Sequence, residues 1–150
     1  MKAKNHLYFN LITDMTHYID QYEENALHIL SGEKISIYEA KIIQAVYSLK
    51  EQRANVSSRI AQYLNASKSS ISIALRGLDK KELIKRVIDT EDHRRVYIEP
   101  TLKSKRVYEI YKEIHEDFIE KAFEILDDYQ KKTLIHLSVI LRNYMNSLIQ

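Results

Sequence analysis

The chain has 150 residues, 45% of them apolar, no cysteine, only two glycines and one proline, and a formal net charge of +2. That is enough apolar material for one core, with few helix breakers. It excludes disulfides, thiolate metal sites and thiol chemistry, and no apolar run approaches the ~18 residues of a membrane span. The charge is unevenly placed: residues 1–51 carry −2, residues 52–106 carry +7 and residues 107–150 carry −3. A basic middle between acidic arms suits a central nucleic-acid-binding module, although charge runs also simply solvate faces. The start, Met1-Lys2-Ala3-Lys4-Asn5, has no apolar signal core, so a soluble, cytoplasmic protein without a membrane partner is expected.

From about Ala3 to Leu30, Tyr8, Leu11, Met15, Tyr18, Tyr22, Ala26 and Ile29 recur at steps of three and four. This spacing predicts a long amphipathic helix with a narrow seam, closed by Ser31-Gly32. Ser36-Ile37-Tyr38-Glu39 has the form of a capping box and opens a second helix carrying Ile42, Ile43, Val46 and Leu49. Asn55 or Ser57 can cap a short third helix with Ile60, Ala61 and Leu64. After Asn65-Ala66, Ser67 can cap a fourth, in which Ile71, Ala74, Leu75 and Leu78 form one buried stripe. Two short helices joined by so brief a turn predict a helix-turn-helix.

Residues 83–88 and 95–99 are β-rich runs around the charged tip Asp89-Thr90-Glu91-Asp92-His93-Arg94, which predicts a hairpin. Thr101 can cap a fifth helix with the stripe Val107, Ile110, Tyr111, Ile114, Phe118, Ala122 and Ile125. Asp127 with Gln130 three residues later opens a sixth, seamed by Leu134, Leu137, Leu141, Tyr144 and Leu148. The fold class is thus mainly α with a small β-hairpin wing. We divide it into an N-terminal helix (1–34), a winged helix-turn-helix (35–100) and C-terminal helices (101–150). A 3-4 seam faces another helix. Either two copies pair through Tyr8, Leu11, Met15, Ile114, Phe118, Leu137, Leu141, Tyr144 and Leu148 in a two-fold homodimer, or helices 1, 5 and 6 bundle within one chain. The homodimer is the expected outcome.

These elements resemble the MarR-type winged-helix regulators over nearly the whole chain. Arg59-Ile60-Ala61-x-x-Leu64 stands where that family has E-L-A-x-x-L, and Ser67-Lys68-Ser69-Ser70-Ile71-Ser72 where S-x-x-x-V-T opens the recognition helix. Leu83-Ile84-x-Arg86 follows, then the wing motif Asp89-x-x-Asp92-x-Arg94. Three positions depart from the pattern. Glu82 replaces the usual Gly after the recognition helix, Ile73 replaces a polar or basic residue, and Gly77 lies inside the helix. A positive φ at Glu82 would cost roughly 1 kcal/mol.

With Ile71, Ala74, Leu75 and Leu78 inward, helical geometry turns Ser69, Ser72, Ile73, Arg76 and Lys80 outward, toward a DNA major groove. Lys68, Ser69 and Ser70 lie in the first turn, where backbone N–H groups favour a phosphate. Arg76 suits guanine O6 and N7. Ile73 either packs on a thymine methyl or merely touches the wing. The resemblance implies that Arg94, with His93 and Arg95 beside it, reaches a minor groove, while Asp89 and Asp92 structure the wing and Asp92 pairs with an arginine. It also implies a small-molecule effector pocket between the dimer helices and the DNA-binding lobe, for which Tyr18, Tyr22 and Tyr111 are candidate walls; plain packing is the alternative.

The six histidines, His6, His17, His28, His93, His115 and His136, form no H-x-x-x-H pair or clustered ligand set, so no metal and no other cofactor are expected. No phosphate-cradling Gly loop and no G-x-S-x-G occur, and an enzyme is not expected. The function expected is a DNA-binding transcriptional regulator, a repressor, acting on a pseudo-palindromic duplex. The alternative is a dimeric helical scaffold without specific DNA binding.

Overall fold

The computed structural model describes the backbone of residues 2–32 and 34–149, and the side chains of residue 6, residues 10–32 and residues 34–148. The chain runs α1 (Lys2–Ser31), α2 (Ile37–Lys50), α3 (Ser57–Tyr63), α4 (Lys68–Lys80), β1 (Ile84–Ile88), β2 (Val96–Pro100), α5 (Leu102–Glu124) and α6 (Asp128–Ile149). It packs as two units that divide at His115/Glu116, within α5.

In the first unit the apolar stripes converge on one core. Leu27, Ile42, Ile43, Val46, Ile60, Ile71, Leu75, Leu78, Leu83, Ile84 and Ile98 are essentially fully buried, each side chain stabilising the fold by about 1.5–3 kcal/mol. Ala74, expected in the stripe of α4, sits at the edge of this cluster. Two capping boxes form as their sequences require. The Glu39 N–H donates to Ser36 Oγ at 3.2 Å, and the Ser36 N–H to Glu39 Oε2 at 3.0 Å. The Gln130 N–H donates to Asp127 Oδ1 at 2.8 Å and the Asp127 N–H to Gln130 Oε1 at 3.0 Å, opening α6. Thr101 and Ser104 exchange the same pair of bonds before α5.

With glycine so scarce, other residues turn the helix ends. Gly32 takes φ 65 after α1, but Arg53, Asn65 and Glu82 stand at φ 50, 49 and 59. Each closes a Schellman motif: Ala54 N–H donates to Leu49 O, Ala66 N–H to Ala61 O and Leu83 N–H to Leu78 O, all at 2.9 Å. After α4 the buried pair Leu78 and Leu83 supplies the apolar contact that accompanies this motif.

Asn55 and Ser57 do not cap α3, as the sequence suggested. The N-cap is Val56, which makes no side-chain cap bond. Asn55 is instead built into the wing. β1 and β2 pair antiparallel from Ile84↔Pro100 to Ile88↔Val96. The α2–α3 connection lies along the outer edge of β2, with Val56 bridged to Tyr97 and the Ile98 N–H donating to Asn55 O at 2.8 Å.

α1 is tied to α5 by a carboxylate in the interior. Glu23 is 1% exposed; it accepts from the Tyr111 hydroxyl at 3.2 Å and meets His115 Nδ1 at 2.5 Å. Burial, with Glu23 beside it, pushes the Tyr111 phenol far above its ordinary range. In the second unit, the α6 side chains Leu137, Leu141, Tyr144 and Leu148 are 50–67% exposed.

Candidate nucleic-acid interface

The exposed side of the helix-turn-helix starts at Ser67. Its Oγ accepts the Ser70 N–H at 3.1 Å and lies 2.9 and 2.8 Å from the hydroxyls of Ser69 and Ser70. These hydroxyls gather around the first turn of α4, where the backbone donors and the helix dipole favour an anion. Burying Ile71, Leu75 and Leu78 fixes the rotation of α4 and leaves Lys68, Ser69, Ser70, Ile73, Arg76 and Lys80 exposed, with Ser72 half-buried. Ile73, an apolar side chain in the middle of this polar face, is 63% exposed.

Burial does not order the wing tip; carboxylates do. Asp89 accepts from the N–H groups of Glu91 at 2.8 Å and Asp92 at 3.2 Å. These two bonds, helped by Tyr97 and Arg53, hold its carboxyl below the usual range. The tip closes with Asp89 N–H to Arg95 O at 3.0 Å and Arg95 N–H to Asp92 O at 2.8 Å. Asp92 accepts the Arg94 backbone N–H at 3.1 Å, and its ion pair is with Arg95 Nε at 3.4 Å. The arginine that Asp92 pairs with is thus Arg95. Asp92 fixes the Arg94 main chain while neutralising Arg95, and the exposed Arg94 side chain projects from a braced turn. His93 turns Nδ1 toward Asp89 O at 3.1 Å.

Between the wing, the start of α4 and the α2–α3 connection lies a cleft of about 800 Å³, lined by Arg53, Arg59, Lys68, Arg94, Arg95, Ser57, Ser58, Ser72, Tyr97 and neighbouring backbone. Five cations and no carboxylate line it. Its wall is fixed from beneath. The buried Asn55 amide donates to Ile98 O and to Glu99 Oε1, both at 3.0 Å, and Glu99 Oε2 pairs with Lys50 at 2.7 Å. Burial raises the Glu99 pKa, but the bonds from Lys50 and Asn55 outweigh it and hold this carboxyl below its ordinary range. The Arg53 guanidinium lies over the Tyr97 ring, 5.8 Å from its centroid.

Of the residues expected at the DNA surface, this geometry gathers Lys68, Ser72, Arg94 and Arg95 around one cleft and leaves Ile73 and Arg76 on the adjoining helix face. Arg53 and Glu99 were not singled out, Asn55 was read only as a helix cap, and Arg59 only as part of the Arg59-Ile60-Ala61-x-x-Leu64 motif. The net +7 of residues 52–106 included both arginines, but no motif marks Arg53, and the one that contains Arg59 gives it no DNA contact.

The other expected sites divide. Leu11 and Met15 are each 55% exposed on α1, and the α6 set is exposed as described. Phe118 is half-buried. Ile114 is corrected: at 4% exposure it belongs to the chain's own core and is not free for a partner. The Tyr8 side chain lies outside the described residues. Tyr18, Tyr22 and Tyr111 do not share one surface. Tyr18 is 64% exposed, Tyr22 packs at the core's edge, and Tyr111 is buried with its hydroxyl on Glu23. Among the described residues, no group of three or more His, Asp or Glu is placed to hold a metal ion, and no helix is long and apolar enough to cross a membrane.

Residues 39–104 match the family model of a winged helix DNA-binding domain. The whole chain is similar in fold to MepR of S. aureus, solved as a DNA complex, with a TM-score of 0.77 and 21% identity over 94% of this chain and 96% of that one. It is also similar to a MarR/EmrR family transcriptional regulator from Acinetobacter sp. ADP1, with a TM-score of 0.72 and 20% identity over 95% and 97% of the two chains. A third similar structure is the organohalide-sensing regulator RdhR bound to 2,4-dichlorophenol, with a TM-score of 0.74 and 20% identity over 93% of this chain and 80% of that one. No curated protein matches the sequence. Residues 39–104 are thus similar to a winged helix DNA-binding domain, and the chain has the fold of the MarR-type regulators it is similar to, as its sequence motifs led us to expect.

Proposed function

We propose that this winged-helix protein is a sequence-specific regulator of transcription that binds a pseudo-palindromic duplex as a homodimer and acts as a repressor. The observation that carries the reading is the cation-lined, carboxylate-free cleft beside an exposed recognition face. Cations supply affinity for phosphates, while the helix face supplies base contacts. Arg76 suits a guanine edge and Ile73 a thymine methyl. Arg94, on its braced turn, suits a minor groove.

The exposed apolar faces of α1 and α6 support self-association, because apolar patches of this kind mark contact surfaces. Leu11, Met15, Leu137, Leu141, Tyr144 and Leu148 remain the proposed dimer residues, with Phe118 at their margin. A two-fold pair presents two recognition helices, which requires half-sites about one DNA turn, ~34 Å, apart. A small molecule that rotates one recognition helix against the other would lower affinity without touching a base. The bound phenol in the RdhR structure supports looking for such an effector. No chemistry is assigned to the chain itself.

The test is selection from a random duplex library, followed by binding of the winner across a salt series and by sedimentation of the free protein. An enriched palindrome bound by a dimer is expected. Salt-sensitive binding without an enriched sequence would reduce the function to non-specific DNA binding. Failure to bind any duplex at low salt would replace it with the helical scaffold.

A further inference from the structure

The cleft contains two cations that neither the recognition helix nor the wing supplies, Arg53 and Arg59. Both come from the α2–α3 connection and the helix it opens. Their setting is unlike that of ordinary surface cations. Arg53 sits at φ 50 in the Schellman turn that ends α2, so its main chain is fixed by the bonds of that turn. Its guanidinium is laid over Tyr97, within electrostatic reach of the Asp89 carboxylate at the wing tip. Arg59 is steadied by a 2.9 Å bond from one guanidinium nitrogen to Gln62 Oε1, a neutral acceptor that leaves its charge intact. Other cations nearby are neutralised: Lys50 by Glu99, Arg86 by Asp79 and Arg95 by Asp92. Arg53, Arg59, Lys68 and Arg94 therefore line one concave surface without an acidic side chain among its walls, and the hydroxyls of Ser57, Ser58 and Ser72 lie between them. Four exposed like charges gathered on one concave surface focus a positive potential that draws an anion.

We infer that this cleft is a phosphodiester-binding site in which Arg53 and Arg59 grip the backbone of one DNA strand, between the base contacts of α4 and the reach of Arg94. The inference rests on the DNA-binding reading above and adds a third contact element to it. Its function is grip and register, not sequence readout, because phosphate contacts carry no base information. The same Tyr97 that carries Arg53 belongs to β2 and lies near Asp89 in the tip.

The experiment uses the full chain and the selected duplex. The slope of log affinity against log salt is measured for the wild type, Arg53→Gln, Arg59→Gln, Arg53→Lys and the control Lys105→Gln, which removes a cation lining a different groove. Each Gln variant removes one phosphate contact from each protomer of the dimer, so it should lower the slope by about 2, leave the preferred sequence unchanged, and lose affinity by an amount that shrinks as salt rises. Lys105→Gln should leave the slope at the wild-type value, and Arg53→Lys should restore most of it. If Arg53→Gln and Arg59→Gln keep the wild-type slope, or lose affinity equally at every salt concentration, the cleft is not a phosphate site. A wild type that binds no duplex would instead overturn the DNA-binding reading itself.

Discussion

Asn55 offers the sharpest test of how the wing is held. Its side chain is 1% exposed and donates to two acceptors, Ile98 O and Glu99 Oε1, each at 3.0 Å. Asn55→Ala removes both donors and leaves a small void against β2. A net hydrogen bond contributes about 1 kcal/mol, and a buried acceptor left without a donor costs about 1–3 kcal/mol. The two losses are unequal. The Glu99 side chain is 30% exposed and keeps Lys50 on its other oxygen, so it is partly compensated. Ile98 is 1% exposed, so its carbonyl loses a donor where water scarcely reaches. The expected destabilisation is about 2–3 kcal/mol, which for a chain of this size lowers the melting temperature by about 4–12 °C. Asn55→Asp should be worse at neutral pH, because it turns a carboxylate toward a carbonyl and another carboxylate. Urea unfolding at one fixed protomer concentration measures both. An Ala variant within 0.5 kcal/mol of wild type, or an Asp variant more stable than the Ala variant, would refute this account of the wing root.

Four further outcomes follow from the same geometry. Glu82→Gly relieves a left-handed main chain costing roughly 1–2 kcal/mol but frees the unfolded chain by about 0.4–1 kcal/mol. Net stabilisation of about 0.5–1 kcal/mol is expected, with Glu82→Val destabilising, both read by thermal melts. Gly77→Ala places a methyl 3.5 Å from Glu39 Oε1, ordinary contact distance, in a helix interior; it should raise stability by about 1 kcal/mol, and a loss would mean the helices cannot accept the methyl. The depressed carboxyl of Asp89 favours the folded tip above its unfolded pKa, and that contribution is lost as pH falls through the folded value. Accordingly, the Glu91 and Asp92 amides should lose hydrogen-exchange protection, corrected for intrinsic rate, only under acid conditions, and Asp89→Asn should remove the pH dependence. Ile73→Ala should reduce discrimination at one thymine position in the library selection while leaving the salt slope unchanged; equal preference at every position would leave Ile73 without a role in readout.

The sequence signals that translated into structure were those governed by nearest neighbours. Ser36 with Glu39 and Asp127 with Gln130 form their caps because both partners lie within one turn. The stripe Ile71, Leu75 and Leu78 orients α4 because helical period alone decides which side chains meet the core. What could not be read depended on partners far along the chain. Asn55 looks like a cap when seen beside Ser57, since asparagine is a common N-cap. Its actual partners lie 43 and 44 residues away on β2. Ile114 fits the exposed seam of a long helix as well as it fits a core. Burial decides the matter because it lies in the part of α5 that packs with the first unit.

The same distinction accounts for the cleft. Arg94 was marked by a local wing motif, whereas Arg53 and Arg59 lie in segments whose local job is to end α2 and continue α3. Their charges acquire a common direction only when Asn55 and Val56 draw the connection along β2. The pairing of Asp92 with Arg95 sharpens that arrangement. A carboxylate on Arg94 would have lowered the positive potential where the side chain projects, and placing it on Arg95 keeps the counter-charge at the turn. The wing thus separates two electrostatic tasks by a single residue: Arg95 takes the counter-charge that holds the tip, and Arg94 lines the cleft beside it. Asp92→Asn keeps an acceptor for the Arg94 N–H but removes the counter-charge from Arg95, so it should steepen the salt dependence of duplex binding, and an unchanged slope would refute this division of roles.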